Sequence, residues 1–149
     1  MTRTRRATVA MLLVGLAIFS SLYSTQAILP TLVRNMGLSS TAAAMTVSAA
    51  TGALALCVVP ASILSERFGR GRILLISAVA ATGVGLIVPL AQEGWQLIVV
   101  RGLQGALLSG APATAMAWLS EELDDKALPR AMGLYIAGTS VGGLTGRLI

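Results

Sequence analysis

Arg101 is the residue whose position in the sequence most strongly suggests chemistry. It lies in an otherwise apolar run, residues 97–119, where an ionisable side chain is costly if the run crosses a membrane. Gln104 and Gly105 follow at helical spacing, so polar groups and a small residue share one face of the predicted helix. A guanidinium at this depth requires a partner or a water-filled cavity, which predicts a polar site within the membrane. The alternative is an arginine that extends to the membrane interface.

The sequence offers no acidic partner at the depth of Arg101. Six acidic residues lie in loops or at predicted helix ends: Glu66, Glu93, Glu121, Glu122, Asp124 and Asp125. Tyr23 and Gln26 lie on one face of the first apolar run and are candidates to face Arg101 across a cavity. They are equally candidates to pair with a neighbouring helix. The partner of Arg101 is therefore left open between water, a helix carbonyl, Tyr23 or Gln26, a substrate, and a carboxylate outside this chain.

The remaining composition argues against an enzyme. Histidine is absent and Cys57 is the only cysteine, so neither a metal cluster nor a disulfide framework is predicted. No nucleophile–base pair, phosphate loop or dinucleotide fingerprint is present. The net charge of +5 does not indicate nucleic acid, because the arginines flank apolar runs instead of forming an amphipathic face. We expect no catalytic residue, metal, cofactor or nucleic acid partner.

The apolar runs predict an all-α integral membrane protein. Of the 149 residues, 55% are hydrophobic and only 11% are charged, against about 25% charged in an ordinary soluble domain. Mean hydropathy is +0.81. Five helical spans are predicted, because backbone amides in lipid must pair within their own segment. They cover residues 7–29, 41–64, 73–91, 97–119 and 130–149 of a single membrane domain, residues 1–149, with Pro30 ending the first helix. The first run is too long for a cleaved signal peptide.

The basic residues predict the orientation of these spans. If the N-terminus is cytoplasmic, eight of the eleven Lys and Arg residues lie on the inner side, in the tail, the loop after the second span and the loop before the fifth. Only Arg34 lies in an outer loop, and Arg101 and Arg147 lie within spans. The positive-inside rule therefore places the N-terminus in the cytoplasm.

The basic loop between the second and third spans carries a family signature. Its sequence, residues 62–72, resembles the cytoplasmic loop of the major facilitator superfamily, often written G-x-L-a-D-r-x-G-r-k-x. The residues that match are Leu64, Arg67, Gly69, Arg70 and Arg72. Glu66 replaces the acidic Asp of the pattern. The resemblance implies that Glu66 and this loop, with the acids at 121–125, form a charge network that gates the cytoplasmic face.

Two further motifs resemble the same family. An Arg followed by a Gln-Gly pair, as in Arg101, Gln104 and Gly105, implies a face that lines the central cavity and contributes to substrate or proton coupling. Gly138, Gly142 and Gly146 recur on one face of the fifth span and resemble the antiporter motif G-x3-G-P-x2-G-G. Gly143 stands at the expected Pro, and Arg147 stands at the last Gly. Ordinary close helix packing at the three glycines is the alternative.

The resemblance implies the N-terminal part of the first six-helix half of a facilitator of the drug or metabolite efflux-like branch. The implied function is secondary active transport of a small molecule by alternating access, as proton-coupled efflux, in the inner or plasma membrane. Its implied partners are the lipid bilayer, a small-molecule substrate, protons and the missing C-terminal helices. The proton-binding carboxylate would lie outside these residues. A small membrane subunit, or a truncated protein that only packs helices, is the alternative.

Overall fold

The computed structural model describes residues 3–148, apart from the side chains at positions 29 and 32. Met1, Thr2 and Ile149 of the predicted domain lie outside the described residues. Within residues 3–148 the regular structure is entirely helical, which confirms the all-α fold class. The helices are α1 (Arg3–Tyr23), α2 (Thr25–Met36), α3 (Ser40–Phe68), α4 (Arg70–Ile87), α5 (Gly94–Leu108), α6 (Gly110–Glu122) and α7 (Leu128–Leu148), with a 3-10 turn at Val88–Leu90.

The first predicted helix is divided in two, and Pro30 does not end it. Only Ser24 separates α1 from α2, and its Oγ donates a hydrogen bond of 3.0 Å to the carbonyl of Ser21. Such a side-chain bond competes with the helical ladder. Pro30 lies inside α2, and the helix extends past it. A proline removes only one amide donor from a helix, and here that loss does not end the helix. The helix ends instead at Gly37, whose φ of 63° is the left-handed conformation that glycine adopts readily.

The stretch expected as a basic loop is almost entirely helical. Arg67 lies in the last turn of α3, and Arg70 and Arg72 lie in the first turn of α4. Gly69 alone connects the two helices, with a φ of 95° that favours glycine. Because Gly69 is the whole connection between the two helices, the arginines on either side of it are held in defined positions.

The fourth predicted span is also interrupted, between α5 and α6. Pro112 has no amide hydrogen, so it cannot donate to the carbonyl of Leu108. Just before this gap, Ser109 turns towards Ala106, with its amide 3.3 Å and its hydroxyl 2.6 Å from that carbonyl oxygen. The sequence indicated one helix because the apolar run is continuous, whereas the backbone has a one-residue break.

The helices pack as neighbours around α1. α1 lies along α7, α3 lies along α5, and α4 contacts both α5 and α6. One apolar cluster contains Ile18, Leu22, Ala50, Ala81, Leu108 and Ala111. A second contains Met11, Ala115, Leu119, Ala131 and Tyr135. Because α1 contributes to both clusters, its position determines which residues of the other helices can meet.

Large apolar side chains also cover the outside of the bundle, as expected for contact with lipid. Leu56, Leu86 and Leu90 are each more than 70% exposed. Within the described residues, three helical segments are long and apolar enough to cross a membrane: Arg3–Ile28, Ser40–Phe68 and Arg70–Leu90. The fourth and fifth spans and the cytoplasmic N-terminus remain predictions.

Candidate functional site

Arg101 lies in the centre of the bundle and is 1% exposed. Its helix, α5, begins with a reciprocal capping arrangement: the Glu93 side chain accepts from the backbone of Gln96, and Gln96 Oε1 accepts from the Glu93 amide at 3.3 Å. This capping box satisfies amides that have no partner within the helix. From this start, Arg101 is carried two turns into the bundle and towards α1.

The guanidinium of Arg101 is held by hydrogen bonds to neutral groups. Nη1 donates to Gln104 Oε1 at 2.6 Å and to the carbonyl oxygen of Ser21 at 3.4 Å. Nη2 donates to the carbonyl oxygen of Leu22. Nε is buried without a hydrogen-bond partner among the described residues. Of the alternatives left open by the sequence, a helix carbonyl is the one that the structure places against Arg101.

These two carbonyls are accessible because α1 stops at Ser24. The last carbonyls of a helix have no intrahelical donor, and that end carries a partial negative charge. Ser21 and Leu22 both belong to the last turn of α1. The arginine therefore donates to carbonyls at this buried break, of which Ser21 also accepts from Ser24 Oγ, at the point where its own charge needs compensation.

Gln104 and Gly105 complete the site on the same face of α5. Gln104 is 2% exposed, and its Nε2 donates to Ser21 Oγ at 3.0 Å. Gly85 of α4 leaves room for this amide, because a Cβ there would lie 2.8 Å from Gln104 Nε2. A Cβ at Gly105 would overlap the backbone of Ala50, so α3 and α5 touch at this level. Sequence reasoning missed Ser21 and Gly85, and neither carries a motif that would have indicated them.

Tyr23 and Gln26 are not brought to Arg101. The Arg147 guanidinium carbon lies 4.4 Å from the centroid of the Tyr23 ring, and Phe19 packs beside that ring with centroids 6.4 Å apart. Tyr23 follows Leu22 directly, so its side chain leaves the helix in a different direction and faces α7. Gln26 is half-buried on α2 and is not among the described hydrogen-bond partners of Arg101.

Only part of the expected charge network is present among the described residues. Arg70 Nε lies 2.8 Å from Glu121 Oε1, which joins the start of α4 to the end of α6. Arg3 and Glu122 form a second pair at 2.6 Å. The ion pairs of the described chain do not include Glu66, Arg67 or Arg72, all of which are exposed, and Gly69 is the connecting residue.

The glycine stripe of α7 lies directly against α1. A Cβ at Gly138, Gly142 or Gly146 would overlap the carbonyl of Leu12, Leu16 or Ser20, in that order. α1 contributes a glycine to the same contact: a Cβ at Gly15 would lie 2.9 Å from the carbonyl oxygen of Tyr135 in α7. Ser20 Oγ adds a hydrogen bond of 3.1 Å to the Gly142 carbonyl. Small residues on both helices therefore allow the two backbones to touch.

The geometry can be compared with known proteins. Residues 11–149, nearly the whole chain, match the protein family described as the Major Facilitator Superfamily. The chain belongs to the major facilitator superfamily. Together with its apolar helices, this membership makes it a multi-pass protein of the cell membrane. Its named relatives are transporters, which confirms the prediction that it is not an enzyme.

The chain is similar to several curated bacterial proteins. The inner membrane transport protein YnfM of Escherichia coli is 35% identical over 144 residues, 97% of this chain and 34% of YnfM. An uncharacterized MFS-type transporter, YybF of Bacillus subtilis, is 36% identical over 145 residues, 97% of this chain and 36% of YybF. An uncharacterized transporter of Buchnera aphidicola is 33% identical over 135 residues, 91% of this chain and 33% of that protein. The chain thus spans about a third of the length of these relatives. No solved structure matches it.

Proposed function

We propose that this chain forms the N-terminal part of a secondary active transporter that moves a small molecule across the cell membrane by alternating access. In this proposal the carrier is an efflux protein coupled to protons and completed by further C-terminal helices. Family membership and relatives named as transporters support membrane transport. Efflux is supported by the resemblance of the α7 glycines to the antiporter motif.

The observation that carries the proposal is the junction of Arg101 with the broken end of α1. Interrupted helices in secondary transporters provide free backbone groups near the substrate and ion sites. Here the carbonyls of Ser21 and Leu22 are already joined to Arg101, and Gln104 bridges Arg101 to Ser21 Oγ. A substrate or ion that attracts the guanidinium would release the end of α1. Binding would thereby be linked to the position of a helix in the bundle.

Proton coupling requires a titratable group beyond those described within the bundle. All six acids of the chain lie in loops or at helix ends. We therefore propose that Arg101 responds to a carboxylate outside this chain. Protonation of that carboxylate would remove its attraction for the guanidinium and favour the pairing seen here.

The two ion pairs at one end of the bundle support a gating role for the basic motif. Arg70–Glu121 and Arg3–Glu122 connect α4 and α1 to the end of α6. Exposed pairs of this kind contribute about 0–1 kcal/mol each. A contribution of that size still changes the populations of two nearly balanced conformations.

The test uses the complete carrier and Arg101→Lys, which retains the charge but loses the planar fork of donors. In energised everted vesicles, proton-coupled efflux is detected as loss of the pH gradient when a transported cation such as ethidium, or an organic acid, is added. We expect a response from the unmodified carrier and a large reduction for Arg101→Lys at equal amounts of inserted protein. Arg34→Lys is the control, because Arg34 is exposed. Near-normal transport by Arg101→Lys would contradict this role and would indicate that Arg101 only anchors its helix at the membrane interface.

A further inference from the structure

A cleft lies between α1 and α7, and Arg101 is not among the residues that line it. Its volume is about 350 Å³, within the range of about 300–1,000 Å³ for small-molecule sites. Phe19 and Tyr23 line it from α1, and Thr139, Ser140 and Arg147 line it from α7. These two rings are half of the four Phe and Tyr residues in the chain. The cleft therefore combines a cation with an aromatic wall.

Arg147 is held in place without using its hydrogen-bond donors. Its guanidinium lies over the Tyr23 ring, with Cζ 4.4 Å from the ring centroid. A cation–π contact is an attraction between the charge and the face of the ring, and it needs no hydrogen-bond acceptor. Among residues 3–148 its guanidinium forms no side-chain hydrogen bond and no ion pair, and the side chain is exposed. Its planar fork of donors is thus available to a ligand.

The charge of the cleft is uncompensated by the residues that line it. No Asp or Glu is among them, and the acids of the chain lie in loops or at helix ends. The hydroxyls of Thr139 and Ser140 donate to the carbonyl of Ile136, at 2.7 and 3.1 Å, so their hydrogens are already engaged. Donors directed at a ligand therefore come chiefly from Arg147. Such a fork pairs with a carboxylate or a phosphate through two parallel hydrogen bonds, and of these a planar carboxylate attached to a ring also suits the aromatic wall.

We propose that this cleft is a subsite for an organic acid, with its carboxylate on Arg147 and an attached planar ring against Phe19 and Tyr23. The inference rests on the proposed transport function for its physiological role, but the binding step itself requires no transport. It assigns a substrate class that the Arg101 site does not specify. It also gives a role to Arg147 at the position where the antiporter-like motif would have glycine.

The experiment measures binding to the complete carrier, purified in lipid nanodiscs, with 4-fluorobenzoate and its neutral counterpart 4-fluorobenzamide as probes. Line broadening of the fluorine signal detects weak binding of either probe. We expect 4-fluorobenzoate to bind about tenfold more tightly than the amide, because the neutral amide cannot form the charge-assisted pair of hydrogen bonds with Arg147. Arg147→Gln should remove that preference, and Arg147→Lys, which keeps the charge, should retain part of it. Arg34→Gln, an exposed site elsewhere, should have no effect.

Equal binding of the two probes, or an unchanged preference in Arg147→Gln, would overturn the subsite. Arg147→Lys keeps the test decisive if Arg147→Gln is poorly folded, because full retention of benzoate affinity by Lys contradicts the planar fork. The two proposals fail separately. Selective benzoate binding by a carrier that transports nothing supports the subsite and contradicts the proposed function. Transport of other compounds, with no Arg147-dependent benzoate binding, contradicts the subsite alone.

Discussion

Arg101 and Arg147 both lie in apolar helices and lack an acidic partner among the described residues, yet they are accommodated in opposite ways. Arg101 is 1% exposed and bonded to two carbonyls and an amide. Arg147 is exposed and rests on an aromatic ring. The first arginine stabilises the bundle with its donors, whereas the second keeps its donors free for a ligand.

The burial of each side chain beside the break in α1 explains the difference. Ser24 interrupts the helix opposite Arg101 and leaves carbonyls without intrahelical donors. Arg147 meets the same end of α1 through the ring of Tyr23, but its side chain is exposed to the surroundings of the bundle. The buried guanidinium of Arg101 therefore uses the carbonyls at this break. The exposed guanidinium of Arg147 contacts only the Tyr23 ring there.

The largest expected difference between the two arginines is in stability. Arg101→Ala leaves the carbonyl of Leu22 and the amide oxygen of Gln104 without their donor, at about 1–3 kcal/mol for each buried group, whereas the Ser21 carbonyl keeps its bond from Ser24 Oγ. Arg147→Ala loses a stacking contact of about 0.5–1 kcal/mol. Thermal unfolding of both variants in the complete carrier checks this, and we expect Arg101→Ala to be clearly the less stable. Equal stability would contradict the contrast between the two sites.

The next prediction concerns the α1–α7 contact, which brings Tyr23 to Arg147. Gly142→Leu places a side chain against the backbone of Leu16 and should force the helices apart, with a loss of about 1–3 kcal/mol for overpacking. The yield of monodisperse protein and its unfolding temperature measure the effect. Gly133→Leu is the matched control, because a Cβ at Gly133 has nothing within 4 Å. If both variants behave alike, the glycine stripe does not support close packing.

A smaller effect is expected at Gly85, and it is specific to the Arg101 site. Gly85→Ala would bring a methyl group to 2.8 Å from Gln104 Nε2 and displace the amide that bonds Arg101. We expect about 1 kcal/mol of lost stability, corresponding to one hydrogen bond, and a several-fold slower transport rate. Gly83→Ala, also on α4, has open space and should be neutral. A neutral Gly85→Ala would show that Gln104 is free to move.

Periodicity and composition were sufficient to predict the helical membrane fold, and the motifs placed Arg101, Gln104 and Gly105 on one helix face, where they are found. The breaks at Ser24 and Ser109 were not predicted, because each occupies one residue within a continuous apolar run. The meeting of Tyr23 with Arg147 was also not predicted. It depends on how α1 is rotated against α7, and that rotation results from close packing at Gly138, Gly142 and Gly146. The contribution of Gly85 likewise depends on tertiary packing, because only the position of α4 against α5 reveals it.

Arg70 provides the smallest effect and a reference for the other two arginines, because it has an acidic partner and lies near water. Its Nε is 2.8 Å from Glu121, and their side chains are 26% and 56% exposed. Arg70→Gln should therefore cost only about 0–1 kcal/mol in stability. If the pair helps to close one face of the carrier, the change should slow transport about two- to fivefold through the conformational equilibrium, since about 1.4 kcal/mol corresponds to tenfold.

The control for Arg70→Gln is Arg72→Gln, which removes the same charge two residues further along the chain. The side chain of Arg72 is exposed and belongs to neither of the described ion pairs. Both variants lower the positive charge of the predicted cytoplasmic side equally, so an effect on topology should reduce their membrane insertion to the same extent. Only Arg70→Gln should reduce transport per inserted molecule, and added salt should reduce the difference between it and the unmodified carrier, because salt screens exposed pairs. Parallel losses of insertion and transport in both variants would assign the basic motif to orientation instead of gating. The contribution of each arginine to the stability and transport of the carrier would then depend on its burial and hydrogen bonding, as at Arg101. The Arg70–Glu121 ion pair would have no additional role.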